Sequence, residues 1–194
     1  KTNYVLEQIR DVYPAMSAAK NVLQTSLQNG NPVIHPAITL MNVAAIERSD
    51  YEFDFYQDGV TPTVGRLIEA VDKERIAIGK KLNVDVLPDP EMGVIQGYML
   101  EATYDTGFNT APGFEGVKAP SDLDYRYFNE DVGYALVLFQ KLGEQIGVAT
   151  PIISAVITLA SLLMNRDYLG EAKRTMETLG LSKLTAKELE ELLA

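Results

Sequence analysis

The chain of 194 residues contains no cysteine. Disulfides and thiolate metal sites are therefore excluded, and a soluble, cytoplasmic protein is the expected setting. Histidine is almost as scarce, with one imidazole at position 35. A His-Glu-x-x-His metal helix cannot be built from it, and no metal site is expected. Neither Gly-x-Gly-x-x-Gly nor Gly-x-x-x-x-Gly-Lys-Ser/Thr occurs, so the chain carries no nucleotide-phosphate loop of its own. Long apolar runs are also missing. The longest, Ile152 to Met164, is interrupted by Ser154, Thr158 and Ser161 and is too short to cross a bilayer. No signal peptide is expected. Basic residues are the minority, 17 against 27 acidic ones, for a net charge of -10. Such a surface repels phosphate backbones and anionic lipid, so neither nucleic acid nor membrane is an expected partner.

What is present is a hydrophobic content of 46% over a length that supports a sizeable core, read as a single domain spanning 1–194. Helix and turn signals dominate. Helices are expected from about Thr2 to Val12, stopped by Pro14, and from Ser17 to Leu27, ending at Asn29-Gly30, where a positive φ is cheap. A third is expected from Pro36 to Glu47, deep in the core, with His35 at its cap. Tyr51, Phe53 and Phe55 alternate with Glu52 and Asp54 and suggest one short strand or hairpin. Thr61-Pro62 opens a long helix to about Leu82, with Val64, Leu67, Ile68, Val71, Ile76 and Ile78 as its apolar positions and Asp72-Lys73-Glu74-Arg75 mostly exposed. From Asn83 to Asp124 prolines and glycines break the pattern, apart from a short helix within Met92 to Tyr104. A connection of that length is either a cover over a site or an irregular surface excursion. Helices then follow from Asn129 to Ile146, from a Thr150-Pro151 cap to Asn165, and from Tyr168 to Leu179. Thr185 and Glu188 have capping-box spacing for a final helix, and the charges from Lys187 to Glu191 read as its solvated face. The fold class is all-α, a bundle-like domain of about eight helices. Because Tyr4 to Ile9 already has the pattern of a helix interior and residue 1 is lysine, the chain is expected to be a fragment.

Chemistry concentrates at two predicted helix starts. His35 would project from the end of a buried helix, where unpaired N–H groups disfavour an imidazolium and attract anions. Asp131 would lie in the first turn opened by Asn129, with Arg126 before it on a loop as a planar fork for a carboxylate. One imidazole, one carboxylate and one guanidinium suit a small anionic substrate. Spacing alone leaves the bland readings open: a structural histidine, a capping Asp131 and an Arg126 in a routine ion pair. Glu69, Asp72 and Glu74 could be imagined as cation ligands, but they lack convergent partners and read as a solvated face.

At these residues the sequence resembles the C-terminal helical domain of the opine dehydrogenase family, the octopine and nopaline dehydrogenase type. The resemblance is carried by Asn29-Gly30-Asn31 with His35-Pro36, Asn42, Ile46-Glu47, Phe55-Tyr56, Thr61-Pro62 and Ile68-Glu69 through Asp72-Lys73-Glu74-Arg75. It continues in Arg126-Tyr127 with Glu130-Asp131, Gly147-Val148 before Thr150-Pro151, and Arg174-Thr175 before Leu179-Gly180-Leu181. The segment from Asn83 to Asp124 is the least similar. The resemblance implies a helical domain related to that of 6-phosphogluconate dehydrogenase relatives. It also implies an N-terminal Rossmann domain, absent here, that binds NAD or NADP, and an active site in the cleft between the two. The implied reaction joins the amine of an amino acid to an α-keto acid as an imine, which a hydride reduces to an N-(carboxyalkyl)amino acid. By the same resemblance His35 would be the catalytic acid/base and Asp131 would orient it. Arg126 would bind a substrate carboxylate and help order that pair. Asn31 would add a polar contact, with capping or turn formation the plainer reading. A homodimer contact through this domain is allowed. Alone, without the cofactor half, the chain is expected to be inactive. Two competing readings are a reductase of a simple keto or hydroxy acid and a non-catalytic helical dimerisation module.

Overall fold

A computed structural model describes residues 1–14, 16–50 and 52–193. Eleven α-helical segments succeed one another among them: α1 (Thr2–Ile9), α2 (Val22–Leu27), α3 (Asn31–Met41), α4 (Val43–Arg48), α5 (Pro62–Lys81), α6 (Asp89–Ile95), α7 (Thr106–Asn109), α8 (Arg126–Asn129), α9 (Val137–Ile146), α10 (Pro151–Met164) and α11 (Ala186–Leu193). A π-helical segment, Asp131–Leu136, bridges α8 to α9. No helix among the described residues is long and apolar enough to cross a membrane.

The centre of the domain is α3, buried from Pro32 to Leu40 and packed against α5, α8, the π segment and α10. It starts earlier than the expected position 36 because Pro32 takes the first turn, where a missing N–H has no partner to lose. Pro36 therefore lies inside the helix and leaves the Pro32 carbonyl without its usual donor. The next carbonyls receive extra donors: Thr39 Oγ1 bonds the His35 carbonyl at 2.8 Å, and Asn42 Nδ2 bonds that of Ile38 at 2.9 Å. Asn42, at φ -125° and ψ 16°, then breaks the predicted single helix into α3 and α4. Within that stretch Met41 and Ala44 are exposed, while Ile46 of α4 is buried in the core.

Elsewhere apolar spacing and local caps explain the elements. The side chain of Thr61 accepts from Val64 N, Pro62 follows, and Lys80 and Lys81 sit where the C-terminal end of the helix dipole favours cations, so α5 runs at nearly its predicted length. Val64, Ile68, Val71 and Ile78 form its buried stripe. Val132, Leu136, Phe139, Leu142 and Ile146 point inward as their spacing predicts. Thr185 and Glu188 exchange the two bonds of a capping box, at 2.8 and 3.3 Å.

Several expectations are corrected. The helix predicted over 17–27 is reduced to its last turns, where Asn21 supplies the cap to Gln24 N. The stretch 168–179 forms turns, not a helix. Thr150 makes no side-chain cap to α10; the Glu74 carboxylate accepts from both Ile152 N and Ile153 N at 2.8 Å. The strand near position 55 is a single antiparallel bridge, Asp54 with Lys118, and Tyr51 lies outside the described residues. That bridge clips the long 83–124 excursion onto the body, with Phe55 N donating to the Val117 carbonyl at 2.8 Å. The short helix of this excursion covers 89–95 rather than 92–104.

The largest correction concerns α5. Asp72 and Arg75 are fully buried rather than solvated. The Arg75 guanidinium is held by Asp72 and by the carbonyls of Leu27 and Leu87, which ties α5 to the ends of two connections. Asp72 also accepts from Asp89 N at 2.8 Å and from the Tyr104 hydroxyl at 2.6 Å.

Candidate active site

The fold brings His35 and Asp131, ninety-six positions apart, to a distance of 2.8 Å between Nδ1 and Oδ2. Both are buried. His35 stands in the second turn of α3, not at its cap, so the weak positive end of the helix has largely decayed where the ring begins. Its neighbours act instead. Asp131 opens the π segment, inside a helical stretch that begins at Arg126, rather than the first turn of a new helix. A π turn widens the helix by one residue per turn and re-aims the side chains at its start.

An ionised carboxylate can only accept, so the bond to Asp131 requires the proton of a neutral His35 on Nδ1. Nε2 is then an acceptor. It receives the hydroxyl of Tyr56 at 2.9 Å. Tyr127 lies over the imidazole with ring centres 4.1 Å apart, and Phe55 approaches at 5.9 Å. Burial, followed by the fields of Tyr127, Asp89, Tyr98 and Asp131, drives the Tyr56 phenol far above its ordinary range. Tyr56 is thus a neutral donor. Asp131, His35 and Tyr56 form one hydrogen-bonded chain, along which the Tyr56 hydroxyl proton can pass to Nε2 while Asp131 holds the other imidazole proton on Nδ1.

The outer end of that chain lines a cavity of about 370 Å³. Tyr56 stacks on Phe114 with centres 3.9 Å apart, and around them stand Gln28, Asn29, Asn31, Asp89 and Tyr98. Imidazole atoms do not line it; the tyrosine oxygen stands between. Asn31 is half-buried at the cavity wall, while the turn into α3 is stabilised by Asn29, whose Oδ1 accepts from Asn31 N at 3.2 Å. Gly30 has φ -82°, so the positive φ expected there is not used. What needs a glycine is Asp89: a Cβ at position 30 would fall 1.5 Å from its Oδ1.

Arg126 begins α8 instead of sitting on a loop. Its side chain is 44% exposed and pairs with Glu130 at 3.6 Å, making no bond to His35 or Asp131. The residues that sequence reasoning passed over are Tyr56 and Asp89. Phe55-Tyr56 was part of the family pattern without a role, and Asp89 stands between two prolines that signal a helix start, a position that says nothing about what its carboxyl faces.

The described residues contain neither a sheet nor a glycine-rich turn from strand to helix. The cavity wall carries the Asp89 carboxyl and no lysine or arginine.

A family described as NAD/NADP octopine/nopaline dehydrogenase, alpha-helical domain, matches residues 18–164. An opine dehydrogenase of Arthrobacter sp. (strain 1C) is 44% identical over 186 residues, 96% of this chain and 51% of that protein. Protein ocs of Agrobacterium tumefaciens (strain Ach5) is 30% identical over 172 residues, 88% of this chain and 47% of that one. A solved structure of octopine dehydrogenase with NADH and L-arginine has a TM-score of 0.68 at 17% identity, over 84% of this chain and 45% of that one, a likeness of fold. The chain spans about half the length of the curated relatives it matches.

Proposed function

Since this chain belongs to the octopine/nopaline dehydrogenase family as its α-helical domain, we propose that it is the substrate-side half of an enzyme that joins an amino acid to an α-keto acid by reductive condensation. In this reading an N-terminal Rossmann domain holds NAD(H) or NADP(H), and the dinucleotide supplies the hydride that reduces the imine. Without that half the chain is inactive. A cytoplasmic location and a homodimer belong to the same reading, the second tested by light scattering.

What this chain contributes is proton control. The observation that carries the reading is the buried Asp131–His35–Tyr56 chain that ends at a cavity wall. An incoming ammonium gives a proton to the Tyr56 oxygen while the Tyr56 hydroxyl proton passes to His35 Nε2. The imidazolium formed is stabilised by the Asp131 carboxylate at 2.8 Å. The free amine attacks the keto carbon, and the same path runs backwards to give the keto oxygen one proton; a second passes from the newly bonded nitrogen to that oxygen, which leaves as water while the nitrogen keeps its last hydrogen as the protonated imine. His35 ends neutral, ready for the next cycle. Arg126, half-exposed beside the π segment, receives a substrate carboxylate by exchanging its loose contact with Glu130, and Asn31 adds a polar contact at the cavity.

The test is NAD(P)H oxidation by the full-length protein with pyruvate and related keto acids, with and without a panel of amino acids. Turnover should require both substrates and yield the N-(carboxyalkyl)amino acid. Turnover without an amine would instead make it a keto acid reductase, and no turnover with any pair would favour a non-catalytic module.

A further inference from the structure

Asp89 has chemistry that the proton path does not use. It opens α6 between Pro88 and Pro90, is 3% exposed, and lines the same cavity as Tyr56. Its backbone N–H is satisfied by Asp72, but Oδ2 is buried with no hydrogen-bond partner. Oδ1 lies against the bare Cα of Gly30. A carboxyl taken from water without a partner is costly, and native proteins keep such a group where a ligand completes it.

The charges around it define that ligand. Arg75 is the cation nearest in the network, yet its guanidinium is used by Asp72, Leu27 and Leu87, so the Asp72–Arg75 pair is neutral as a unit. Tyr104 donates to Asp72, and Tyr56 and Tyr98 bring phenols whose loss of a proton burial opposes. No lysine or arginine lines the cavity. The missing partner of Asp89 is therefore a positive donor from outside. Until it arrives a proton takes its place: burial, then the Asp72 carboxylate, push the Asp89 carboxyl up to about 7, against the opposing pull of Arg75.

We propose that Asp89 is the receptor for a protonated nitrogen of the amino-acid substrate, held on the cavity wall that also carries Tyr56, with Gly30 required to let the carboxyl reach that position. This rests on the reading of the cavity as a substrate site. The nitrogen is either the α-ammonium, common to every amino acid, or a cationic side chain, and the experiment separates the two.

Amino-acid binding to the full-length protein is measured by calorimetry at pH 7 in two buffers of different ionisation enthalpy, with alanine, arginine and lysine as probes. Binding should release protons, because the bound cation ionises a carboxyl whose burial favours its protonated form. Asp89→Asn should abolish that release and raise KM for the amino acid by about 10- to 100-fold, the range for a lost charge-assisted hydrogen bond, with KM for the keto acid within about twofold. An effect on alanine as well as arginine identifies the α-ammonium; an effect on arginine and lysine alone identifies the side chain. Gly30→Ala, which displaces the carboxyl, is the second variant and should reproduce the KM pattern. Proton uptake on binding, an unchanged amino-acid KM, a defect confined to the keto acid, or no binding of any probe would overturn the assignment. Calorimetry needs no turnover, so this outcome is separable from failure of the condensation itself.

Discussion

The hydroxyl of Tyr56 lies 2.9 Å from Nε2 of His35 and closes the imidazole off from the cavity. Any proton that reaches His35 from a substrate in that cavity passes through a phenol. Tyr56→Phe keeps the stacking on Phe114 but removes the relay. The expected result is a fall in kcat of about 100-fold or more, the ordinary scale of acid–base contributions, with substrate KM little changed. Steady-state kinetics of the full-length variant decide this; a normal kcat would mean that Tyr56 swings aside and His35 acts directly.

Asp131→Asn tests the tautomer. An amide can turn its NH₂ towards Nδ1, which would move the imidazole proton to Nε2 and leave Tyr56 with no acceptor there. Loss of kcat by about 100-fold or more is expected, with the domain still folded. Imidazole ¹⁵N shifts of His35, assigned by difference against a His35→Gln variant, should show the proton on Nδ1 in the parent protein and on Nε2 in the variant.

Arg75 is expected to matter for stability rather than for chemistry. Arg75→Met would leave the buried carboxylate of Asp72 without its counter-ion and the carbonyls of Leu27 and Leu87 without donors. Breaking one side of a buried pair costs about 3–5 kcal/mol. Urea denaturation should show a loss of that size. A loss under about 1 kcal/mol would mean that water replaces the guanidinium.

Asp89 gives the stability a pH dependence of unusual sign for a carboxyl. Burial pushes its carboxyl up to about 7 from an ordinary 3.8, so the folded protein binds the extra proton between those limits. The contribution is complete below about pH 4 and is lost as pH rises to about 7, on the order of 4 kcal/mol in all. Asp89→Asn removes the titrating group. The difference in unfolding free energy between parent and variant should shift in favour of the variant from pH 4 to pH 8; a difference independent of pH would show that Asp89 ionises normally.

Much of the helical frame was legible along the chain. Thr61-Pro62 and the 4-3-7 spacing of Val64, Ile68, Val71 and Ile78 are local signals, as are the capping box of Thr185 and Glu188 and the inward row from Val132 to Ile146. Where the reading failed, distant groups had overruled local ones. Residues 72–75 look solvated because four charges in a row normally are, and only the carbonyls of Leu27 and Leu87, brought in from other segments, make an interior place for Arg75. Glu74 caps a helix seventy-eight positions away, which leaves no trace in its own neighbourhood.

The site divides along the same line. Composition and apolar periodicity suffice for the fold class, since neighbours along the backbone impose them, whereas the family and the pairing of His35 with Asp131 come from the resemblance that the spaced motifs carry. Which groups touch is another matter. Packing of α3 against the π segment set the 2.8 Å contact of the pair, and the bridge that clips the 83–124 excursion to the body holds Phe114 beside Tyr56. The seat of Asp89 against Gly30 arose in the same way. Hydrogen bonding and desolvation act over a few ångströms, and a string of residues specifies such distances between remote positions only after the chain has closed on itself.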